Sequence, residues 1–237
     1  MVATRYSVVQ VLRGRYFMKD FELILASGSP RRRELISLLG LPFAIMVADV
    51  DEDVVTVADP AQNVVGRALL KAEAVRDILR SEGRIGLVLG SDTTVADGVE
   101  MLNKPTDETE AVGMLEQLRG RVHQVHTGIA LCHTGGRTVT DVASVAVPMR
   151  DYSDDEIKQY VASGDPMDKA GAYAIQSKSF APVPELRDCF AGVMGLPLCH
   201  LVRNLRAFGI ELEGESISAD CQTHLTYSCH VHKSILN

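Results

Sequence analysis

The chain has 237 residues, of which 46% are hydrophobic, and it carries a formal net charge of −7. A chain of this size can bury a full core as one domain. No apolar run reaches about eighteen residues, so the sequence contains no candidate membrane span. The acidic residues are spread along the chain, which argues against a broad nucleic-acid-binding surface. We therefore expect a protein that binds neither membranes nor nucleic acids.

The pattern of apolar residues predicts strands at 22–27, 43–48, 85–90, 122–132 and 138–149, and helices at 30–40, 59–80, 107–118, 153–162 and 197–208. Asp97-Gly98 is typical of a tight hairpin turn. Strands and helices alternate early, whereas the middle of the chain is hairpin-like. This order predicts an α/β fold with a mixed, twisted sheet and helices on its faces.

The two ends of the chain differ from this pattern. Residues 1–17 are mildly basic and precede Met18, so we expect an N-terminal extension, with a native start at Met18 and one domain spanning 18–213. Residues 214–237 contain cysteines and histidines, but their spacing matches no common zinc finger, and we expect a poorly ordered tail. The five cysteines form no disulfide framework, which favours a reducing, cytoplasmic compartment.

The first predicted helix begins with a concentration of positive charge. Ser29 is a good N-cap, Pro30 suits the first helical position, and Arg31, Arg32 and Arg33 follow directly. Arginine is disfavoured at a helix N-terminus by the helix dipole, so three in a row need a reason. Free backbone amides and guanidinium groups together favour a site for a polyphosphate or another anion over a solvated basic turn.

Two carboxylates are candidates for chemistry. Asp92 follows the predicted strand 85–90, and open α/β sheets place ligands beyond the carboxyl ends of their strands. A carboxylate there can hold Mg²⁺ or orient a water molecule. Taken alone, Asp92 is equally well explained as a turn or cap residue. Glu52, in the acidic loop 49–53, is by itself more typical of a solvated acid.

Three lysines are ordinary when considered one at a time. Lys71 lies in a mostly apolar helical stretch, Lys104 precedes Pro105, and Lys169 follows Asp168. Together with the arginines they supply the positive charges that neutralise a triphosphate and its leaving group.

Several segments, read together, resemble the Maf family of nucleoside triphosphate pyrophosphatases in the correct order over residues 22–208. They are Ser27-Gly28-Ser29-Pro30-Arg31-Arg32, Asp51-Glu52, Lys71-Ala72, Gly90-Ser91-Asp92-Thr93, Asn103-Lys104-Pro105, Asp168-Lys169-Ala170-Gly171-Ala172-Tyr173-Ala174-Ile175-Gln176 and Gly195-Leu196-Pro197-Leu198. The resemblance implies a Maf/Ham1-like α/β fold with two lobes around a cleft, and a homodimer.

The implied reaction is hydrolysis between the α- and β-phosphates of a nucleoside triphosphate, with Mg²⁺ or Mn²⁺ as the divalent metal. By resemblance, Asp92 accepts the proton of the attacking water, and Glu52 and Asp92 hold the metal. Lys71 belongs to the catalytic set, and it binds the phosphates together with Arg32 and Lys104. Ser29 and Lys169 complete the substrate-binding set.

The motif 168–176 with Thr93 resembles the family branch that hydrolyses dTTP and UTP. Arg31, Thr93 and Gln176 are then the positions that recognise the base, since a Gln amide can pair with the edge of uracil or thymine. Two alternatives stay open. One is a pyrophosphatase for another nucleotide, such as a modified purine triphosphate, and the other is a nucleotide-binding regulator of septum formation.

Overall fold

The structure is a computed structural model and describes residues 22–237. The expected N-terminal extension at residues 1–17 lies outside this range. Within it, no helix combines the length and the apolar character needed to cross a membrane.

Residues 22–237 form one sheet of six strands. The strands are β1 (Glu22–Leu25), β2 (Ala44–Ile45), β3 (Gly86–Asp97), β4 (Glu100–Leu102), β5 (Val122–His133) and β6 (Thr138–Pro148). Their order is β2-β1-β3-β5-β6, and β4 pairs with the end of β3. β1 is parallel to β2 and β3, whereas β3, β5 and β6 are antiparallel. The prediction of a mixed sheet is confirmed.

Helices cover both faces of the sheet. They are α1 (Pro30–Ser37), α2 (Pro60–Ser81), α3 (Glu108–Leu118), α4 (Asp154–Ala162), α5 (Phe190–Val193), α6 (Leu198–Leu205), α7 (Gly214–Leu225) and α8 (His232–Leu236). On one face, the buried side of α2 packs against β1, β3 and β5 through a small apolar cluster. On the other face, a larger cluster joins the sheet to α1, α3, α4 and α6. The flanking helices therefore follow the apolar periodicity of the sequence.

The predicted end of the third strand at Gly90 is wrong. β3 continues to Asp97, because its antiparallel pairing with β5 runs from Leu87 to Ala96, and the threonines and valine at 93–95 suit an extended backbone. The parallel pairing with β1 does end early, at Leu89. Asp92 therefore lies within a strand, three residues beyond the carboxyl end of the parallel pairing.

The segment after residue 213 differs from the poorly ordered tail that we expected. α7 and α8 pack on α6, and Ile217 and Leu236 are buried there. Arg203 and Arg206 on or beside α6 donate hydrogen bonds to backbone carbonyls of α8. Apolar burial and these hydrogen bonds attach the segment to the domain. Among residues 22–237, no three His, Cys, Asp or Glu side chains are grouped so as to hold a metal ion.

Candidate active site

Arg32 is held at the start of α1 by three uncharged oxygen atoms. Its Nε donates to the carbonyl oxygen of Gly195 at 3.0 Å, its Nη1 to Ser27 Oγ at 3.1 Å and its Nη2 to Thr93 Oγ1 at 3.2 Å. Ser29 caps the helix as predicted, since its Oγ accepts from the backbone N–H of Arg32. The guanidinium group therefore has a single, fixed orientation.

The charge of Arg32 is not neutralised by a direct partner. Within residues 22–237 it forms no ion pair shorter than 4.0 Å, although the charges of Asp92 and Glu52 are near enough to affect it. Burial lowers the pKa of Arg32 from its ordinary value, and those two carboxylates oppose the shift. An arginine remains protonated throughout the physiological range despite such a shift. Arg32 is only half-buried, so its charge is available to an anion.

The Gly195 carbonyl joins three parts of the chain. It accepts from Arg32 and also from Ser91 Oγ, at 2.9 Å, on β3. Gly195 has a φ of +107°, and a Cβ atom there would lie 3.2 Å from Thr93 Oγ1 and 3.3 Å from Arg32 Nε. Only glycine fits this backbone and this space without strain. The segment 195–198, which is one of those that resemble the Maf family, thus has a structural role in fixing Arg32.

Thr93 extends the arrangement into the sheet. Its Oγ1 hydrogen-bonds with Thr127 Oγ1 at 2.9 Å, and Thr127 Oγ1 donates to the Gly192 carbonyl at 2.8 Å. The hydroxyl of Thr93 is thus shared between Arg32 and Thr127. It accepts from Arg32 and donates to Thr127, which leaves one lone pair for a donor on a ligand.

Lys71 lies between the two candidate carboxylates. Its Nζ is 2.6 Å from Asp92 Oδ1 and 2.9 Å from Glu52 Oε2. The side chains of Lys71 and Asp92 retain only 16% and 11% of their exposure, whereas Glu52 retains 37%. The structure therefore brings together the three residues predicted to be catalytic, with the lysine neutralising part of the carboxylate charge.

The position of Lys71 depends on close packing between α2 and the sheet. A Cβ atom on Gly90 would lie 2.1 Å from the carbonyl oxygen of Ala68, and one on Gly128 would lie 2.5 Å from that of Val64. Both positions therefore require glycine. Because the helix lies directly on β3 and β5, the Lys71 side chain can reach Asp92.

The segment 165–176 provides a second group of charges. Arg31 Nη1 lies 3.8 Å from Asp168 Oδ2, and Lys169 Nζ donates to Asp168 Oδ1 at 2.6 Å and to Asp165 Oδ1 at 3.1 Å. Although partial burial favours the neutral acid, the hydrogen bond from Lys169 and the charges of Lys169 and Arg31 give a net lowering of the pKa of Asp168. Lys169, predicted to bind substrate, is thus paired within its own loop.

The remaining predicted residues are exposed. The side chains of Lys104 and Gln176 form no hydrogen bond or ion pair with any residue from 22 to 237. The Asn103 carbonyl accepts from the Gly171 N–H at 3.2 Å, so the loop that carries Lys104 adjoins the segment that leads to Gln176. Both side chains are free to meet a ligand.

Sequence reasoning missed the structural roles of Ser27 and Gly195 around Arg32, and it missed Arg67. The Arg67 guanidinium lies 4.0 Å from Glu52 and 3.7 Å from Asp53. Its position four residues before Lys71, on the same face of a predicted helix, was the signal available in the sequence.

Comparison with known proteins decides the family. The model of the family described as "Maf-like protein" matches residues 22–208. The chain belongs to the Maf family.

Two relatives carry the same descriptive name. A protein of Desulforamulus reducens named "dTTP/UTP pyrophosphatase" is 43% identical over 192 residues, which cover 80% of this chain and 98% of that protein. One of Bacillus cereus (strain AH820) with the same name is 41% identical over 191 residues, covering 81% and 97%. The alignments therefore cover nearly the whole length of both relatives.

A solved structure, the Staphylococcus aureus Ham1 protein, aligns with 55% of this chain and 72% of its own at 18% identity, with a TM-score of 0.39. A nucleoside-triphosphatase / dITP/XTP pyrophosphatase from Mycobacterium abscessus aligns with 54% and 73%, at 18% identity and a TM-score of 0.33.

Proposed function

We propose that this Maf protein hydrolyses dTTP and UTP to the nucleoside monophosphate and pyrophosphate. The relatives named dTTP/UTP pyrophosphatase support the reaction and the substrates. The contact of Lys71 with both Asp92 and Glu52, beside the unneutralised charge of Arg32, is the observation that carries the proposal. The proposal is supported because a carboxylate that could accept a proton lies together with cations that could bind phosphate groups.

The proposed reaction is attack by water on the α-phosphorus. The oxygen of water bonds to that phosphorus, the bond to the bridging oxygen breaks, and pyrophosphate leaves with the bonding electron pair. Asp92 accepts the proton of the attacking water, and it is the more buried of the two carboxylates that Lys71 contacts. Arg32 binds the phosphate groups of the substrate, and Lys71 stabilises the negative charge that develops on the phosphate oxygens.

Glu52 and Asp92 fit a divalent cation, Mg²⁺ or Mn²⁺. Such ions prefer oxygen donors, and Mg²⁺ is commonly held by one or two carboxylates together with substrate phosphates and water. Two carboxylates within reach of one ammonium group provide such a donor set. When bound, the cation would reduce the charge of the triphosphate and polarise its oxygens.

The base is recognised, in this proposal, by Arg31, Thr93 and Gln176. Gln176 is exposed and free of hydrogen bonds within the described chain, so its amide can pair with a pyrimidine edge. Arg31, on α1, lies beside Asp168, which belongs to the same segment as Gln176. Ser29 contributes as the cap of α1, and Lys104 contributes charge from an adjoining loop. Lys169 has to leave Asp165 and Asp168 before it can contribute charge.

We also propose that the protein acts in the cytoplasm as a homodimer. The five cysteines are all free thiols, as a reducing compartment allows. Sedimentation of the purified chain tests the dimer, and a single monomeric species at micromolar concentration would contradict it.

The first experiment is pyrophosphate release from a panel of nucleoside triphosphates, with Mg²⁺ or Mn²⁺ and with EDTA. We expect metal-dependent release from dTTP and UTP, with the monophosphates as products. Activity confined to a modified purine nucleotide would keep the reaction and reject the roles of Thr93 and Gln176. Binding without turnover of any nucleotide would favour a regulatory nucleotide-binding protein.

A further inference from the structure

Arg67 lies one helical turn before Lys71 on α2, so the two side chains project from the same face. Glu52 Oε2 is 4.0 Å from Arg67 Nη1 and 2.9 Å from Lys71 Nζ. One oxygen atom of the Glu52 carboxylate therefore faces two cations. Arg67 Nη2 also lies 3.7 Å from Asp53 Oδ1, in the same 3-10 helix, Glu52–Val54.

The guanidinium group of Arg67 is placed at a cost. Its side chain retains 19% of its exposure, and its Nε is a buried donor that has no hydrogen-bond partner among residues 22–237. Leaving a buried donor unsatisfied destabilises a folded protein. A side chain kept in such a place needs a compensating role, and its only ion-pair partners in the described structure are the acids at 52 and 53.

Other residues of α2 hold the segment that follows the acidic loop against the helix. Asn63 Nδ2 donates to the carbonyl oxygens of Val55 and Val57. Gly66 allows close contact, because a Cβ atom there would lie 2.8 Å from a methyl carbon of Val55. These contacts fix the backbone that follows the 3-10 helix. Arg67 adds the charged contact, which acts on the Glu52 carboxylate itself.

We propose that Arg67 is the positioning residue for Glu52. Lys71 is shared between Glu52 and Asp92, and a triphosphate attracts its ammonium group away from the carboxylates. Arg67 has no contact with Asp92 within 4.0 Å in the described structure, so it continues to orient Glu52 when Lys71 moves to phosphate. This inference rests on the proposed function, because it gives Glu52 a role in the same reaction.

A double-mutant cycle tests the proposal. We expect Arg67→Met to lower kcat for dTTP about tenfold, with a smaller change in KM, as is common when a residue that orients a ligand is removed. Arg67→Lys should recover part of the loss, since it restores the charge. In a Glu52→Gln background, Arg67→Met should change kcat less than about twofold, because interacting residues are not additive. An equal loss in both backgrounds, or no loss in either, would overturn the proposal.

Hydrogen exchange of the nucleotide-free protein gives a second readout. Arg67→Met should increase exchange of the amides at 51–55, whereas Arg80→Met, a surface change near the end of the same helix, should not. Unchanged exchange at 51–55 would contradict the positioning role even if activity fell. If the wild-type chain hydrolysed no nucleotide, the proposed function would fail, and the exchange experiment would still decide whether Arg67 holds this loop.

Discussion

Arg32 and Lys71, the two cations at the centre of the site, are held in opposite ways. Arg32 is fixed by a carbonyl and two hydroxyl groups, which orient it without cancelling its charge. Lys71 is fixed by two carboxylates, whose combined negative charge exceeds its own positive charge. The arginine is therefore prepared for an anion before the substrate arrives, whereas the lysine has to exchange partners.

This difference separates binding from turnover. A cation with a fixed orientation and an available charge stabilises a bound phosphate group without reorganisation. In the proposed reaction, the group of one ammonium and two carboxylates changes its pairing when phosphate enters, and it contains the proton acceptor. We expect changes around Arg32 to act mainly on substrate affinity, and changes around Lys71 to act mainly on the rate.

The largest effect should come from Asp92→Asn. It keeps the size of the side chain but removes the proposed proton acceptor and one charged partner of Lys71. We expect kcat to fall at least a hundredfold, which corresponds to an increase of about 3 kcal/mol in the activation free energy. The melting temperature should change little. Steady-state kinetics with dTTP measure this, and Asp97→Asn on the same strand is the matched control. Turnover at the wild-type rate would remove Asp92 from the mechanism.

Activity can be lost in acid because the protein unfolds. The pH dependence of stability must therefore be known before a loss of activity is assigned to Arg32 or to Lys71 and its two carboxylates. Burial lowers the pKa of His123 from 6.5 to about 4, and its Nε2 lies 2.8 Å from the Tyr173 hydroxyl oxygen. The unfolded chain binds this proton more readily, so stability is lost as the pH falls from 6.5 towards 4.

We expect the unfolding free energy to decrease by about 2 kcal/mol between pH values of about 6.5 and 5 from this group. Denaturant unfolding at several pH values, compared with His123→Gln, isolates the contribution. A variant with the same pH dependence as the wild type would exclude His123 as its source.

Arg32→Lys tests whether Arg32 acts mainly on substrate affinity. A lysine keeps the charge but cannot reach three oxygens that lie in different directions, so KM should rise about tenfold while kcat changes less. Arg33→Lys, on the exposed side of α1, is the control. If kcat fell more than KM rose, the distinction between the two cations would not hold.

Gln176→Ala should have the smallest effect. Its side chain has no partner within the described chain, so the fold should be unaffected. We expect the ratio of kcat/KM for dTTP to that for a purine triphosphate to change severalfold, as loss of one hydrogen bond to the base implies. Lys178→Ala controls for a surface change nearby. An unchanged ratio would remove Gln176 from base recognition.

Much of the fold could be predicted because its signals are local. The N-cap at Ser29 and the apolar spacing of α2 depend on neighbouring residues, and the structure has them as expected. The end of β3 was missed because its pairing with β5 involves residues about forty positions apart. The packing of the tail was missed because cysteines and histidines do not indicate which surface they will cover.

The candidate site was predictable in its residue types but not in its contacts. The resemblance supplied Asp92, Glu52 and Lys71, and the structure brings these three together. No local pattern indicates that the Gly195 carbonyl meets Arg32, because 163 residues separate them. Lys169 looked like a free cation in the sequence, and only the fold reveals its pairing with Asp165 and Asp168.

Gly90 determines how closely α2, which carries Lys71, approaches the sheet, although Gly90 is not among the residues proposed to contact the nucleotide. With only a hydrogen atom between strand and helix, the height of α2 above the sheet is set by the backbone of both elements. One added methyl group would raise the helix and withdraw Lys71 from Asp92 while every side chain of the site stayed intact. Gly90→Ala would therefore slow the reaction by displacing Lys71 from Asp92. A search for inactive variants that is confined to residues in contact with the nucleotide would overlook this position.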